Sequence, residues 1–380
     1  MATLMSTRNI FVLLFLSIIG LCLLLYSERD RNLQLVPFVQ NVLNSGELYE
    51  NCTMKSNVFF LKVPKCASGT TMVLLWRFVM AHNLNPLTTA IPSTGLSKPL
   101  TQLRLLDHPP GESYNVIANH LDYSINKNEI PKMMPNDTAC IGIVREPKAQ
   151  FQSHLLWNHA YKSMRRRVPP SQAKNTTDGE LLLDTITNNT ESLKRFLNSQ
   201  SRYFGIRAAS FEIDIKEVFN TFDLILIADY YDESLVLLKR YMCWDLKDIV
   251  YNKVHAQKYS VDQKNIMSNN RISAWFSEKN YNDFVFYQKC LENFQQKVSN
   301  EGNRFHEEVE YFQSVLRRVT TFCSSEVTDI LHFERSRWNK EFNISASDCE
   351  LLKLDPVPSI HRVVSWQTSR LQKLRSPESS

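Results

Sequence analysis

The stretch Asn57-Val58-Phe59-Phe60-Leu61-Lys62-Val63-Pro64-Lys65-Cys66-Ala67-Ser68-Gly69-Thr70-Thr71 decides the fold, because an apolar run ends in a small-residue turn that opens onto Met72-Val73-Leu74-Leu75-Trp76-Arg77-Phe78-Val79. Residues 57–63 read as a buried strand, and 70–81, with almost no polar face, as a helix buried on all sides. A helix N-terminus presents unsatisfied N–H groups and the positive end of the dipole, so such a turn can cradle a phosphate. Ser68, Thr70 and Thr71 add hydroxyls, and Lys65 adds a cation at the lip. A nucleotide triphosphatase loop sets its lysine directly before the helical Ser or Thr, whereas here the lysine precedes the small residues. That order argues against a triphosphatase and against a nucleotide kinase. The plain alternative is a small-residue turn beside an ordinary lysine.

Three more apolar runs, 114–118, 139–144 and 223–228, are each followed by helical or loop sequence, the rhythm of a parallel sheet with crossover helices. Pro147, a favoured first-turn residue, starts the helix after the second of these, which continues through Phe151 and Leu155. The segment Arg165 to Gly179, with Arg165-Arg166-Arg167 and two prolines, reads as a surface excursion; its basic run either touches an acidic acceptor or is simply solvated. Long helical patterns over 277–298 and 304–323 give a helical C-terminal part that flanks the sheet, and beyond Cys349 a loose tail is expected. The fold class is therefore α/β, a parallel sheet with flanking helices.

A second group of polar residues gathers at strand ends. Arg145, in Ile141-Gly142-Ile143-Val144-Arg145-Glu146-Pro147, closes a buried strand where open α/β sheets bind ligands, and its planar fork suits phosphate oxygens or a structural carboxylate. His120, in Val116-Ile117-Ala118-Asn119-His120-Leu121-Asp122-Tyr123, ends another strand between the two. A neutral imidazole there can take a hydroxyl proton near neutral pH or can bond to backbone.

The 380-residue chain, 43% hydrophobic and 22% charged, is long enough for one sizeable core plus appendages. Its net charge of +5 is mild for a nucleic-acid-binding protein, and no nucleic-acid partner is expected. Residues 10–26 carry no charge and are just long enough to span a bilayer, with Arg8 before them and a balanced Glu28-Arg29-Asp30-Arg31 after. They read as a signal-anchor, in preference to a cleaved signal peptide, that leaves the N-terminus cytosolic and the rest lumenal. The expected organisation is a cytoplasmic tail 1–9, a transmembrane helix 10–26, a stem 27–55, a catalytic domain 56–350 and a C-terminal tail 351–380. Five glycosylation sequons, at Asn51, Asn136, Asn175, Asn188 and Asn343, agree with lumenal exposure. Of the eight cysteines, seven follow the anchor, so at least one is unpaired or intermolecular. No Cys/His spacing suggests a metal site, and none is expected.

The Lys65-Cys66-Ala67-Ser68-Gly69-Thr70 turn after Phe60-Leu61-Lys62 resembles the 5′-phosphosulfate-binding loop of Golgi carbohydrate sulfotransferases, particularly the galactose 3-O-sulfotransferases. Arg145-Glu146-Pro147 with Ser153 eight positions on looks like that family's 3′-phosphate element, and Asn119-His120 like the position of its catalytic base. The block Leu224 to Arg240 with Cys243-Trp244-Asp245-Leu246 is similar as well, so the resemblance spans about residues 57–323. It implies the P-loop-like sulfotransferase fold, a Golgi membrane location and 3′-phosphoadenosine 5′-phosphosulfate (PAPS) as co-substrate. Lys65 would meet the bridging oxygen, Ser68, Gly69, Thr70 and Thr71 the 5′-phosphate, Arg145 and Ser153 the 3′-phosphate, and His120 would be the general base. The acceptor would be a galactose-terminated glycan or glycolipid; a glycosaminoglycan acceptor, or a silent carbohydrate-binding protein, are the alternatives. Asp122 stands where relatives often carry a basic residue, which bears on the acceptor. A Cys243–Cys323 disulfide is expected on the same resemblance, and Asp232 and Glu233 are read as helix-capping rather than acceptor-binding.

Overall fold

The computed structural model describes residues 52–96, 98–169, 171, 175–252, 263, 266–325 and 329–375. The chain divides into two units, Met1–Thr53 and Met54–Ser380, and the second carries the fold described here. The expected cytoplasmic tail, membrane span and most of the stem lie outside the described residues, among which no helix is long and apolar enough to cross a membrane.

Four parallel strands, β1 (Val58–Leu61), β3 (Val116–Ile117), β5 (Ala139–Val144) and β6 (Leu224–Ile227), form the central sheet in the order β3-β1-β5-β6. Two short strands, β2 (Gly95–Leu96) and β4 (His120–Leu121), pair in parallel beside it. All four predicted apolar runs became strands, because a run buried on both faces satisfies its backbone only by pairing with neighbours of the same kind. In register, Phe59 pairs with Ile117 on one side and Cys140 on the other, and Ile143 with Leu226. Gly142, in β5, is required by close approach: a Cβ there would stand 2.6 Å from the Phe204 ring.

Numbering α-helices of seven residues or more, α1 (Ser68–Ala81) follows β1, and α2 (Pro147–Trp157) follows β5 behind Glu146, whose carboxylate accepts from the Lys148 and Ala149 amides. α3 (Asp178–Asn188) and α4 (Phe211–Thr221) precede β6, and α5 (Tyr231–Met242) follows it. The helical flank is α6 (Asn270–Lys279), α7 (Tyr281–Asn300) and α8 (Arg304–Ser324), then a hairpin β7 (Leu331–Phe333) with β8 (Phe342–Ile344), and finally α9 (Ala346–Leu352) and α10 (Pro356–Arg375). Ser234 Oγ bonds both the amide and the carbonyl of Ile227, tying α5 to the end of β6. α8 crosses α5 through a buried cluster in which Glu308 accepts from Lys239 Nζ (2.8 Å) and Arg240 Nε (2.6 Å).

Several expectations require correction. The 277–298 pattern is broken at Asn280, whose side-chain oxygen is taken by the Asn198 amide, so α6 ends and α7 begins there. At the ends of the 165–179 segment, Arg165 closes a helix (Ala160–Arg165) and bonds Thr176 O and Asp178, the first residue of α3. The loose tail beyond Cys349 is instead α10, which buries Ile360, Val363, Val364 and Leu371. Its apolar residues at spacings of three and four give it a face to bury, and α1, with no polar face, supplies the other side. Cys323 pairs with Cys349 and not with Cys243, because α9 brings Cys349 to a Cα separation of 5.3 Å from the end of α8. Cys243 is disulfide-bonded too, and Cys66, Cys140 and Cys290 are free thiols. Asp232 does not cap α5 but is buried, accepting from Tyr251 Oη at 2.6 Å.

Candidate active site

The turn between β1 and α1 is built from two left-handed residues, Lys65 (φ 63°) and Ala67 (φ 57°), which reverse the chain so that α1 starts without any side-chain cap. Non-glycine residues adopt that region at a cost, and here the surroundings hold it. Ser68 is buried and its hydroxyl donates to Val63 O at 2.5 Å; Thr71 is buried and its hydroxyl shares a 3.0 Å bond with Tyr231 Oη. Both hydroxyls thus shape the turn from within, while Gly69 and Thr70 stand half-buried at the uncapped helix start. Cys66 is locked inside the turn, its thiol bonded to Pro64 O and Gln200 Oε1, with burial pushing its pKa well up, so it is a packing residue and not a nucleophile.

Two glutamines clamp the turn to the neighbouring strand. Gln200 accepts from the Arg145 amide (2.8 Å) and donates to the Arg145 carbonyl (2.9 Å), and Gln150 donates to Pro64 O and Ser199 Oγ. Asp283 in turn accepts from the Gln200 and Ser201 amides. Arg145 is thereby brought against the loop, its guanidinium donating to Lys65 O at 3.2 Å. Ser153 is buried on the inner face of α2, one turn beyond Gln150. Lys65 Nζ lies 4.1 Å above the ring of Trp157, a residue 66% exposed at the end of α2.

His120 faces the end of β1. Its Nδ1 lies 2.6 Å from Lys62 O, which can only accept, so Nδ1 carries the proton and the lone pair is on Nε2. Nε2 lies 2.5 Å from Lys62 Nζ. Burial, followed by the Lys62 charge, lowers the His120 pKa to about 3, and burial, followed by Lys65, lowers that of Lys62 to about 7. Asn119 fixes the preceding residue by donating to Thr88 Oγ1 and Ser93 O. Asp122 accepts from the Ser124 amide and hydroxyl, capping a one-turn helix.

Lys62, Lys65, Arg145 and His154 thus stand around one turn: Arg145 adds to burial in lowering the Lys65 pKa, and Lys65, Arg195 and Arg202 add to burial in lowering that of His154 to about 4. Such a cluster with an uncapped helix start fits a polyanion. Sequence reasoning singled out Lys65, Arg145 and His120 but missed Lys62, Gln200, Gln150 and His154. A lysine closing the apolar run Phe59-Phe60-Leu61 was the one available signal, and the glutamines had none.

A family model described as galactose-3-O-sulfotransferase matches residues 1–333. The chain is 30% identical over 294 residues to galactose-3-O-sulfotransferase 2 of Mus musculus, covering 70% of each chain. It is 28% identical over 287 residues to galactosylceramide sulfotransferase of Homo sapiens, covering 72% of this chain and 65% of that one. With galactose-3-O-sulfotransferase 3 of Mus musculus it shares 32% over 233 residues, or 53% of this chain and 48% of that one. No solved structure matches. The phosphate-type turn, the strand-end arginine and the strand-end histidine all lie within the matched residues, and the chain belongs to the galactose-3-O-sulfotransferase family of sulfotransferase enzymes.

Proposed function

We propose that this protein transfers a sulfuryl group from PAPS to the 3-hydroxyl of a galactose in glycolipid or glycoprotein glycans, working in the Golgi lumen from a single-pass membrane anchor with the P-loop-like sulfotransferase fold. The carrying observation is His120, held as a neutral Nδ1–H imidazole by the carbonyl of Lys62, with its Nε2 beside the cation cluster of the turn. Within this reading Lys62 Nζ turns from His120 Nε2 towards the bound polyanion, and the freed Nε2 lone pair takes the galactose hydroxyl proton as the hydroxyl oxygen bonds sulfur. Lys65 leaves the Trp157 ring to offset the charge left on the 3′,5′-bisphosphate as the bridging S–O bond breaks. Backbone amides at Ser68, Gly69 and Thr70, with the Thr70 hydroxyl, hold the 5′-phosphate; the buried Ser68 and Thr71 hydroxyls keep the turn in shape for it. Arg145, positioned by Gln200 and accompanied by Ser153 on α2, holds the 3′-phosphate. Positioning and electrostatic stabilisation carry the rate.

Four of the proposed glycosylation sites, Asn136, Asn175, Asn188 and Asn343, are exposed, which supports a lumenal domain, and Asn51 lies outside the described residues. Sulfate transfer by His120→Ala should fall by about 10²- to 10⁴-fold with bisphosphate affinity retained. Lys65→Ala should also remove most turnover, whereas Arg145→Ala should act mainly by weakening the bisphosphate. Wild-type turnover in all three variants would end this assignment.

A further inference from the structure

α10 lies outside the residues matched by the family model, yet it reaches the phosphate-type turn. A Cβ built on Gly69 would stand 3.0 Å from Pro356 Cγ, the first residue of α10. Ordinarily alanine is preferred over glycine inside a helix by about 1 kcal/mol, so a glycine at the second position of α1, in helical conformation, calls for a reason of packing. Pro356 supplies it, because its ring stands close enough that a side chain at Gly69 would press on it and one of the two must give by a few tenths of an ångström.

α10 is held in place along its length. At its start, α9 is fastened to the end of α8 by the Cys323–Cys349 disulfide and capped by the reciprocal Ser345 and Asp348 bonds. Leu352, the last residue of α9, and Leu354, in the link to α10, line a small cavity of about 10 Å³ together with Thr70, Val73, Leu74 and Arg77, so the junction packs directly on α1. Along the middle, Ile360, Val363 and Val364 are buried. Farther on, Gln367 Nε2 donates to Asn85 Oδ1 and Asp107 O, and Arg370 Nη1 donates to Asn85 Oδ1 at 2.9 Å. The helix therefore cannot slide without disturbing the segment that follows α1.

We propose that α10 is a working part of the donor site, with Pro356 a positioning residue that seats Gly69 and so sets where the first amides of α1 point. This rests on the reading of the turn as the donor's phosphate site. The contact predicts a particular pattern in a double-mutant cycle. Gly69→Ala adds a methyl that must displace either the Pro356 ring or the start of α1; since α10 is anchored, the turn gives way. Affinity for the 3′,5′-bisphosphate should then fall about tenfold, a misplacement effect. Pro356→Ala removes the ring that seats Gly69 and should also lower affinity severalfold, whereas Gly69→Ala with Pro356→Ala, in which the new methyl refills the vacated space, should recover most of both losses.

The test is calorimetric titration of adenosine 3′,5′-bisphosphate into the four full-length proteins, with melting temperatures of the same samples. Recovery in the double variant is the expected result. A double variant as weak as Gly69→Ala alone would overturn the proposal, since the methyl would then be opposing the ligand and not Pro356. If the wild type failed to bind the bisphosphate at all, the donor assignment would fail. The coupling of turn to helix would still be decided by the melts, which must be non-additive if the two residues meet.

Discussion

Lys62 is the residue whose environment says most about how the site is run. It is 4% exposed, and burial lowers its pKa to about 7, while His120 at about 3 and His154 at about 4 are neutral throughout the working range and Lys65 is itself lowered. A bound polyanion must raise the Lys62 pKa again, so bisphosphate binding at pH 8 should take up a proton, seen as a dependence of the calorimetric enthalpy on buffer ionisation. Lys62→Met should abolish that dependence. The same shift has a sign for stability: the folded pKa lies below the unfolded value of about 10.4, so between about pH 7 and 10 the unfolded chain binds more protons and stability rises with pH. Below pH 7 the full cost of the buried ammonium is present. Lys62→Met should therefore stabilise most at pH 6, by a few kcal/mol, and progressively less towards pH 10. Urea midpoints that shift equally at both pH values would contradict this.

At the scale of elements, the sheet and its first helices were legible because an apolar run has few ways to be satisfied. Residues 139–144 became β5 with the expected ends, and 304–323 became α8 with one residue added. What could not be read was interaction at a distance. Asn280 breaks a helical pattern only because the Asn198 amide meets it, and the segment after Cys349 becomes a helix against α1 only because α1 has an apolar face left to cover. The site divides in the same way: Lys65 in the turn after β1, Arg145 just past β5 and His120 at the start of β4 all flank apolar runs and were visible, whereas Gln200, on a short helix far along the chain, acts solely through the fold. The joint between α5 and α8 makes a further case. Glu308 is fully buried with Lys239 and Arg240 as partners, so Glu308→Ala would remove the carboxylate that both cations meet in a dry interface, with Arg240 keeping its pair with Glu301. A loss of about 3–5 kcal/mol in denaturant unfolding is expected, against a small change for the exposed pair Arg337–Glu307.

For the whole molecule, the C-terminal region is a structural continuation of the catalytic fold. The Cys323–Cys349 bridge closes a loop with a sequence separation of 26 residues, so removing it with a Cys323→Ser and Cys349→Ser pair should cost about 2–4 kcal/mol and loosen α9 and α10 together. Non-reducing peptide mapping should find Cys323 joined to Cys349, and a Cys243–Cys323 peptide would contradict the described pairing.

The central claim concerns what the assembled site transfers and to what. The most direct measurement supplies the full-length protein in detergent with sulfur-labelled PAPS and a panel of β-galactosides, uronic-acid polymers and hexosamines, beside Lys65→Ala and His120→Ala. Label on the galactose 3-hydroxyl that both substitutions abolish is the predicted result. Label only on the polymers, or bisphosphate binding without transfer to any acceptor, would contradict it.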